Sequence, residues 1–134
     1  MTQEERTLLH IDLSERVPYD TVLRVRGLVT SNEEFGDAYL DTVSWYEEVS
    51  VRDGSRVSYD IADVRPYLRP LSSMTEEEKY QYEKTQWEYQ ADYCAPKYFD
   101  GLESYDWLNA HFFDFRGLIE KGLALEATEG LYNS

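Results

Sequence analysis

An α+β architecture is expected for this chain of 134 residues. Three observations carry the expectation: short alternating runs of apolar and polar residues fill the first half, an Asp-Gly turn joins two of them, and a strong helix-start signal opens the second half. In full, residues 1–70 are expected to form a small antiparallel β-barrel, and residues 71–134 one long helix and two short C-terminal helices packed on it as one compact unit.

In Val22-Leu23-Arg24-Val25-Arg26 the apolar Leu23 and Val25 alternate with two arginines, the period of a strand with one buried face. Gly27 interrupts it, and Thr30 to Asp37 reads as a loop. Ala38 to Val43 and Val49 to Arg52 are strand candidates, and Asp53-Gly54 is a hairpin signal leading into a returning strand, Arg56 to Ile61. In that strand Val57, Tyr59 and Ile61 share one face, while Arg56, Ser58 and Asp60 share the other. A sheet of four or five such strands must curl to cover its apolar face, which points to an SH3-like barrel.

Arg65-Pro66-Tyr67-Leu68-Arg69-Pro70 should be an extended connector, because each proline lacks a donor and disfavours helix before it. The long helix then starts at a capping box, Ser73 with Glu76 or Thr75 with Glu78, with acids at the positive end of the helix dipole. It should run to about Asp92. Tyr80, Trp87 and Ala91 fall on one side of it, and Tyr82, Tyr89 and Tyr93 on the nearly opposite side. Either the helix is sandwiched between the barrel and the last helices, or one stripe meets another molecule, a second copy included. The chain should break around Cys94-Ala95-Pro96, restart at Ser104 with Trp107, Leu108, His111 and Phe112 on one side, and restart again at Asp114 until Gly122. Leu123 to Ala127 is a closing strand or a tail.

Acids outnumber bases 27 to 13, a net charge of −14, which opposes direct binding to nucleic acid or to anionic lipid. That acidity either serves solubility or mimics nucleic acid. No apolar run is long enough for a membrane helix, the opening residues lack the pattern of a secretory signal, and Cys94 is the single cysteine, so a cytoplasmic protein without an internal disulfide is expected.

Catalysis has little to build on. His10 and His111 are the two histidines and lie far apart, Cys94 has no histidine near it in sequence, and His111 with Asp114 is only a pair of metal-ligand types. No metal and no cofactor is expected, and the glycines Gly27, Gly36 and Gly54 are too scattered for a phosphate loop. The arginines are more informative: Arg24 and Arg26 project from one strand face, and Arg56, Arg65 and Arg69, with Arg52, flank the hairpin and connector. With Tyr59 and the nearby Tyr19, Tyr39, Tyr46 and Trp45 they form a candidate site for a nucleotide-like anion; the plainer reading pairs them with acids of the same segment.

Two stretches, Tyr67-Leu68-Arg69-Pro70-Leu71-Ser72-Ser73-Met74-Thr75-Glu76-Glu77-Glu78 and Asp106-Trp107-Leu108-Asn109 followed by Asp114 to Glu126, resemble small uncharacterised proteins of Bacteroides-type gut bacteria and their phages or mobile elements. The resemblance covers the second half of the chain and implies an accessory protein of a phage or mobile element. The functional expectation is therefore a non-enzymatic protein that binds a host or phage protein, in the manner of an inhibitor of a defence or nucleic-acid-handling protein. Tyr82, Glu83, Tyr89 and Tyr93 are the candidate contact residues, since 12 Tyr and 3 Trp exceed what so small a core needs.

Overall fold

The computed structural model describes residues 1–91 and 102–132, so the expectations placed on Asp92, Tyr93, Cys94 and Pro96 lie outside the described residues, as does the side chain of Tyr89. Helix α1 (Gln3–Arg16) is followed by strands β1 (Val22–Arg26), β2 (Phe35–Val43), β3 (Glu48–Val51), β4 (Ser58–Asp60) and β5 (Val64–Pro70). Helices α2 (Glu76–Ala91) and α3 (Leu102–Ala110) and two short strands, β6 (Phe113–Asp114) and β7 (Leu125–Glu126), complete the order.

The α+β expectation holds, but the barrel does not. The strands run β4-β3-β2-β1-β5-β6 in one sheet with β7 on β5, and the edges β4 and β6 do not pair. The sheet stays open because another element covers its apolar face. Thr2 and Glu5 cap α1 reciprocally, Glu5 N–H to Thr2 Oγ1 at 3.1 Å and Thr2 N–H to Glu5 Oε1 at 2.9 Å. That helix lays Leu9 and Leu13, both fully buried, against Leu23, Val25, Leu40, Val49, Ile61, Val64 and Leu68 of the strands and the turn after β4. Leu118, Leu123 and Ala124 close the same cluster from the C-terminal segment.

The proline-rich segment expected as a connector is β5, next to β1 in the sheet. It pairs antiparallel with β1 (Leu23 opposite Pro66, Arg24 opposite Arg65) and parallel with β7 and β6. Arg69 N–H reaches Phe112 O at 2.7 Å, and Ala127 N–H reaches Leu68 O at 2.8 Å, so Leu123 to Ala127 includes a closing strand. Tyr132 joins these parts: its hydroxyl accepts from Val22 N–H at 2.9 Å and donates to Tyr67 O at 2.6 Å, while its ring stacks 3.7 Å from that of Phe112.

The second short C-terminal helix is also absent. Asp114 does cap the turn after it, taking Leu118 N–H and Ile119 N–H at 2.9 Å each, but Gly117 at φ 74° turns the chain left-handed before a helix can propagate. Ser104, expected as an N-cap, lies inside α3. The Asp53-Gly54 hairpin is wider than a two-residue turn, with β4 resuming only at Ser58. Between β1 and β2 the loop folds close over Gly36, where a Cβ would stand 2.6 Å from Leu28 Cδ2 and 2.8 Å from Ser31 Cβ. Gly36→Ala is therefore expected to destabilise the domain by about 1–3 kcal/mol, read as a lowered thermal midpoint.

Helix α2 contributes nothing to the central cluster among its described side chains. It starts at the second of the two capping boxes considered, with Glu78 N–H on Thr75 Oγ1 at 3.1 Å and Thr75 N–H on Glu78 Oε1 at 3.0 Å. It is fastened outside the core by a two-bond fork, both Arg69 Nη atoms 2.7 Å from the Glu78 carboxylate, and by Tyr82 against the Trp107 ring of α3. Among the described residues no helix is long and apolar enough to cross a membrane.

Candidate functional site

The turn between β2 and β3 combines a fixed backbone with exposed aromatic side chains. Ser44 starts it: its Oγ accepts from Tyr46 N–H and Glu48 N–H at 3.2 Å each, and its own N–H reaches Glu48 O at 2.9 Å. Glu47 takes a left-handed φ of 61°, and its carboxylate accepts from Arg6 Nε at 2.6 Å and Gln3 Nε2 at 3.2 Å. His10 Nε2 lies 2.9 Å from Ser44 O, and Ile61 N–H bonds Glu47 O at 2.9 Å. Arg6 also forks onto Asp60, and hydrogen bonding to Arg6 holds the Asp60 carboxyl below its ordinary range.

A turn tied to α1 and to the end of β4 on both flanks thus presents Trp45 at 91% and Tyr46 at 85% exposure. Exposed Asp41 and Glu48 flank it in sequence, so the aromatic pair has an acidic surround. In the sequence both aromatics stand out only as neighbours of the arginines. Their shared exposure depends on contacts from residues 3–10 and 61, which no local pattern reveals.

The tyrosines expected to meet a partner are arranged differently. Tyr82 is half-buried with its ring centroid 5.7 Å from that of Trp107, whereas Tyr80, from the other cluster of α2, is 67% exposed. Glu83 is exposed. His111 stacks on Trp107 at 4.0 Å, and burial, ahead of the opposing influence of Glu78, lowers its pKa. Asp114 serves the backbone, and among the described residues no group of three or more His, Cys, Asp or Glu is gathered as for a metal ion.

Of the arginine set, the structure brings three together. Period-two alternation puts Arg24 and Arg26 on the outward face of β1, and the antiparallel register sets Arg65 of β5 opposite Arg24. With Phe35, Ala62 and Asp63 they line one open cleft of about 50 Å3. The Arg24 and Arg26 guanidiniums stand 4.2 and 5.1 Å from the centroid of the Phe35 ring. Burial lowers the Arg65 pKa, and the Arg24 charge adds to the effect. The other members lie elsewhere: Arg52 pairs with Asp20, Arg56 is exposed in the turn before β4 at φ 59°, Arg69 holds Glu78, and the accompanying Tyr59 is buried with its hydroxyl accepting from Val29 N–H. Phe35, absent from the aromatic candidates, is the ring the cleft uses; its register opposite Arg26 was the missing signal. Compared with protein-family models, with curated proteins and with solved structures, the chain matches none.

Proposed function

We propose that the chain is a non-catalytic binding protein that holds another protein through the Trp45–Tyr46 turn. The observation that carries this reading is the near-complete exposure of two adjacent large aromatics on a backbone already fixed by hydrogen bonds from three sides. Tyr and Trp are enriched among residues that dominate binding energy, and a pre-ordered turn avoids part of the ordering entropy on association. A net charge of −14 favours a partner with a basic surface, and proteins that handle nucleic acid have such surfaces. The resemblance of the second half to phage and mobile-element proteins points the search to a host or phage protein of that kind, with inhibition as the consequence of occupying its basic face.

The test is capture from a Bacteroides-type lysate by the tagged chain, beside an unrelated bait of similar charge, followed by affinity measurement on the purified partner. Trp45→Ala is expected to weaken binding by about 2 kcal/mol or more, roughly thirtyfold in Kd. Its thermal midpoint should stay close to that of the parent, since the side chain buries nothing in the free protein. Retention of one basic partner by the parent and its loss by Trp45→Ala with Tyr46→Ala is the supporting result. Equal retention by both, or none by either, removes the reading.

A further inference from the structure

We propose that the cleft between β1 and β5, where Arg24, Arg26 and Arg65 meet beside Phe35, is a binding site for a single phosphoryl group, carried by a small phosphate ester or by free phosphate. The site is separate from the Trp45–Tyr46 turn and stands or falls independently of it.

The first reason is a charge arrangement that folding alone does not favour. Like charges directly opposite on neighbouring antiparallel strands repel, and Arg24 faces Arg65 in this way with Arg26 two residues along. Acids outnumber bases 27 to 13 in this chain, yet neither Arg24 nor Arg65 makes an ion pair among the described residues, and Arg26 has only a rim partner. The carboxylate across from Arg24 on β2, Asp37, instead accepts from the Tyr67 hydroxyl at 2.8 Å. Glu34 reaches Arg26 at 3.3 Å on the exposed rim. Asp63 lines the cleft, but among the described residues it makes no ion pair with any of the three. Arg24 has no hydrogen-bond or ion-pair partner among the described residues, and its Nε is buried without an acceptor.

The second reason is that the donors are already oriented. Arg65 is pinned by backbone carbonyls, Nε to Gly122 O at 3.1 Å and Nη1 to Ala62 O at 3.0 Å and Val64 O at 2.8 Å, which fixes the guanidinium plane and leaves Nη2 available. Stacking on Phe35 occupies a face of the Arg24 group, so its N–H edge is the part left to meet an acceptor. Planar forks of this kind match the oxygens of a phosphoryl group.

Size and charge choose the ligand. About 50 Å3 exceeds one water's share of the liquid, about 30 Å3, and falls well short of the roughly 300 Å3 at which pockets enclose whole small molecules. One tetrahedral anionic group enters, and the remainder of an ester stays outside, along the exposed rim. Three guanidiniums against Asp63 and the rim carboxylate Glu34 still leave a net positive charge, and their forked N–H edges suit the several oxygens of a phosphoryl group.

The test is a titration of the full chain with inorganic phosphate and with methyl phosphate at constant ionic strength, following the arginine Nε–Hε signals by NMR. Saturable shifts at Arg24 and Arg65, not reproduced by chloride, are expected. Arg24→Gln should weaken binding by about tenfold or more, and Arg56→Gln, at a surface position away from the cleft, should leave it unchanged. Asp63→Asn should tighten binding, a gain that loss of folding cannot imitate. Tighter binding of methyl phosphate identifies an ester as the ligand, and equal binding identifies the free ion. Absence of saturable shifts at millimolar phosphate, or a response unchanged in Arg24→Gln and in Asp63→Asn, overturns the proposal.

Discussion

Asp12→Ala is expected to lower the stability of the domain by about 3–5 kcal/mol. Asp12 and Arg16 are both fully buried on successive turns of α1, with Arg16 Nε 2.9 Å from Asp12 Oδ2, and Arg116 Nη1 approaches the other carboxylate oxygen at 2.5 Å. Arg16 Nη2 also donates to Phe113 O at 2.7 Å, which locks α1 to β6, while Arg16 Nη1 has no partner among the described residues. Glu15 is a second acid for Arg116. Removing Asp12 strands one guanidinium in a buried site and weakens the hold on another. For a domain with a typical stability of about 5–15 kcal/mol, this is a large fraction of the whole. Replacing both partners, Asp12→Leu with Arg16→Met, should recover much of the loss, because the cost lies in the uncompensated charge rather than in the absence of the pair. Urea unfolding followed by circular dichroism measures both; a loss below about 1 kcal/mol in the single variant would show that Arg16 finds another acceptor.

Acid should release α2 before it unfolds the sheet. The Arg69 fork is the main reason that the Glu78 carboxyl falls from the ordinary 4.5 to about 2, with the Thr75 backbone N–H assisting against burial. A carboxyl depressed in the folded state stabilises that state fully above its unfolded value and ceases to do so as pH falls through its folded value. The contribution is therefore complete above about pH 4.5 and disappears towards pH 2, and it amounts to about 3 kcal/mol. Glu78→Gln should be destabilised by a comparable amount at pH 7 and converge on the parent near pH 2. Asp60 titrates in the same direction in both proteins and cancels in the difference between the two curves, which Glu78 dominates with a smaller share from His111, whose protonation Glu78 favours. A gap that stays constant from neutral pH to pH 3 would mean that Arg69 contributes by its position over the Phe113 ring, 4.2 Å away, rather than by its charge.

The elements legible in the sequence were those set by local chemistry. Alternation at Leu23 and Val25 located β1, the face shared by Val57, Tyr59 and Ile61 located the hairpin return, and Thr75 with Glu78 marked the start of α2. The same capping pattern at Thr2 and Glu5, with Leu9 and Leu13 one turn apart, signals α1 equally well, and a helix there covers the apolar face that a barrel would otherwise have to close. Pro66 and Pro70 disguised β5, because a proline's missing donor argues against a strand inside a sheet until the pairing is known. β6 and β7 have two residues each, too few for any period to register. The arginine cleft was half legible: alternation gave Arg24 and Arg26, but only the strand partner separates Arg65 from Arg56 and Arg69.

The seam at Tyr132 bears on how the chain comes to be folded during synthesis. Its hydroxyl touches Val22, 110 residues earlier, and Tyr67, 65 residues earlier. Strand β5 must wait for β6 and β7 to be made before the pairings after Pro66 exist. A nascent chain that has emerged only as far as α2 therefore carries an incomplete sheet with Leu68 uncovered by Leu118, Leu123 and Ala124. Contacts this distant slow folding and leave an open strand edge in the interval, the stage at which neighbouring chains on one messenger can join. Completion of the domain is thus set by its final segment, and the cell meets the finished arginine cleft, whose Arg65 is pinned by Gly122, only after that segment has docked.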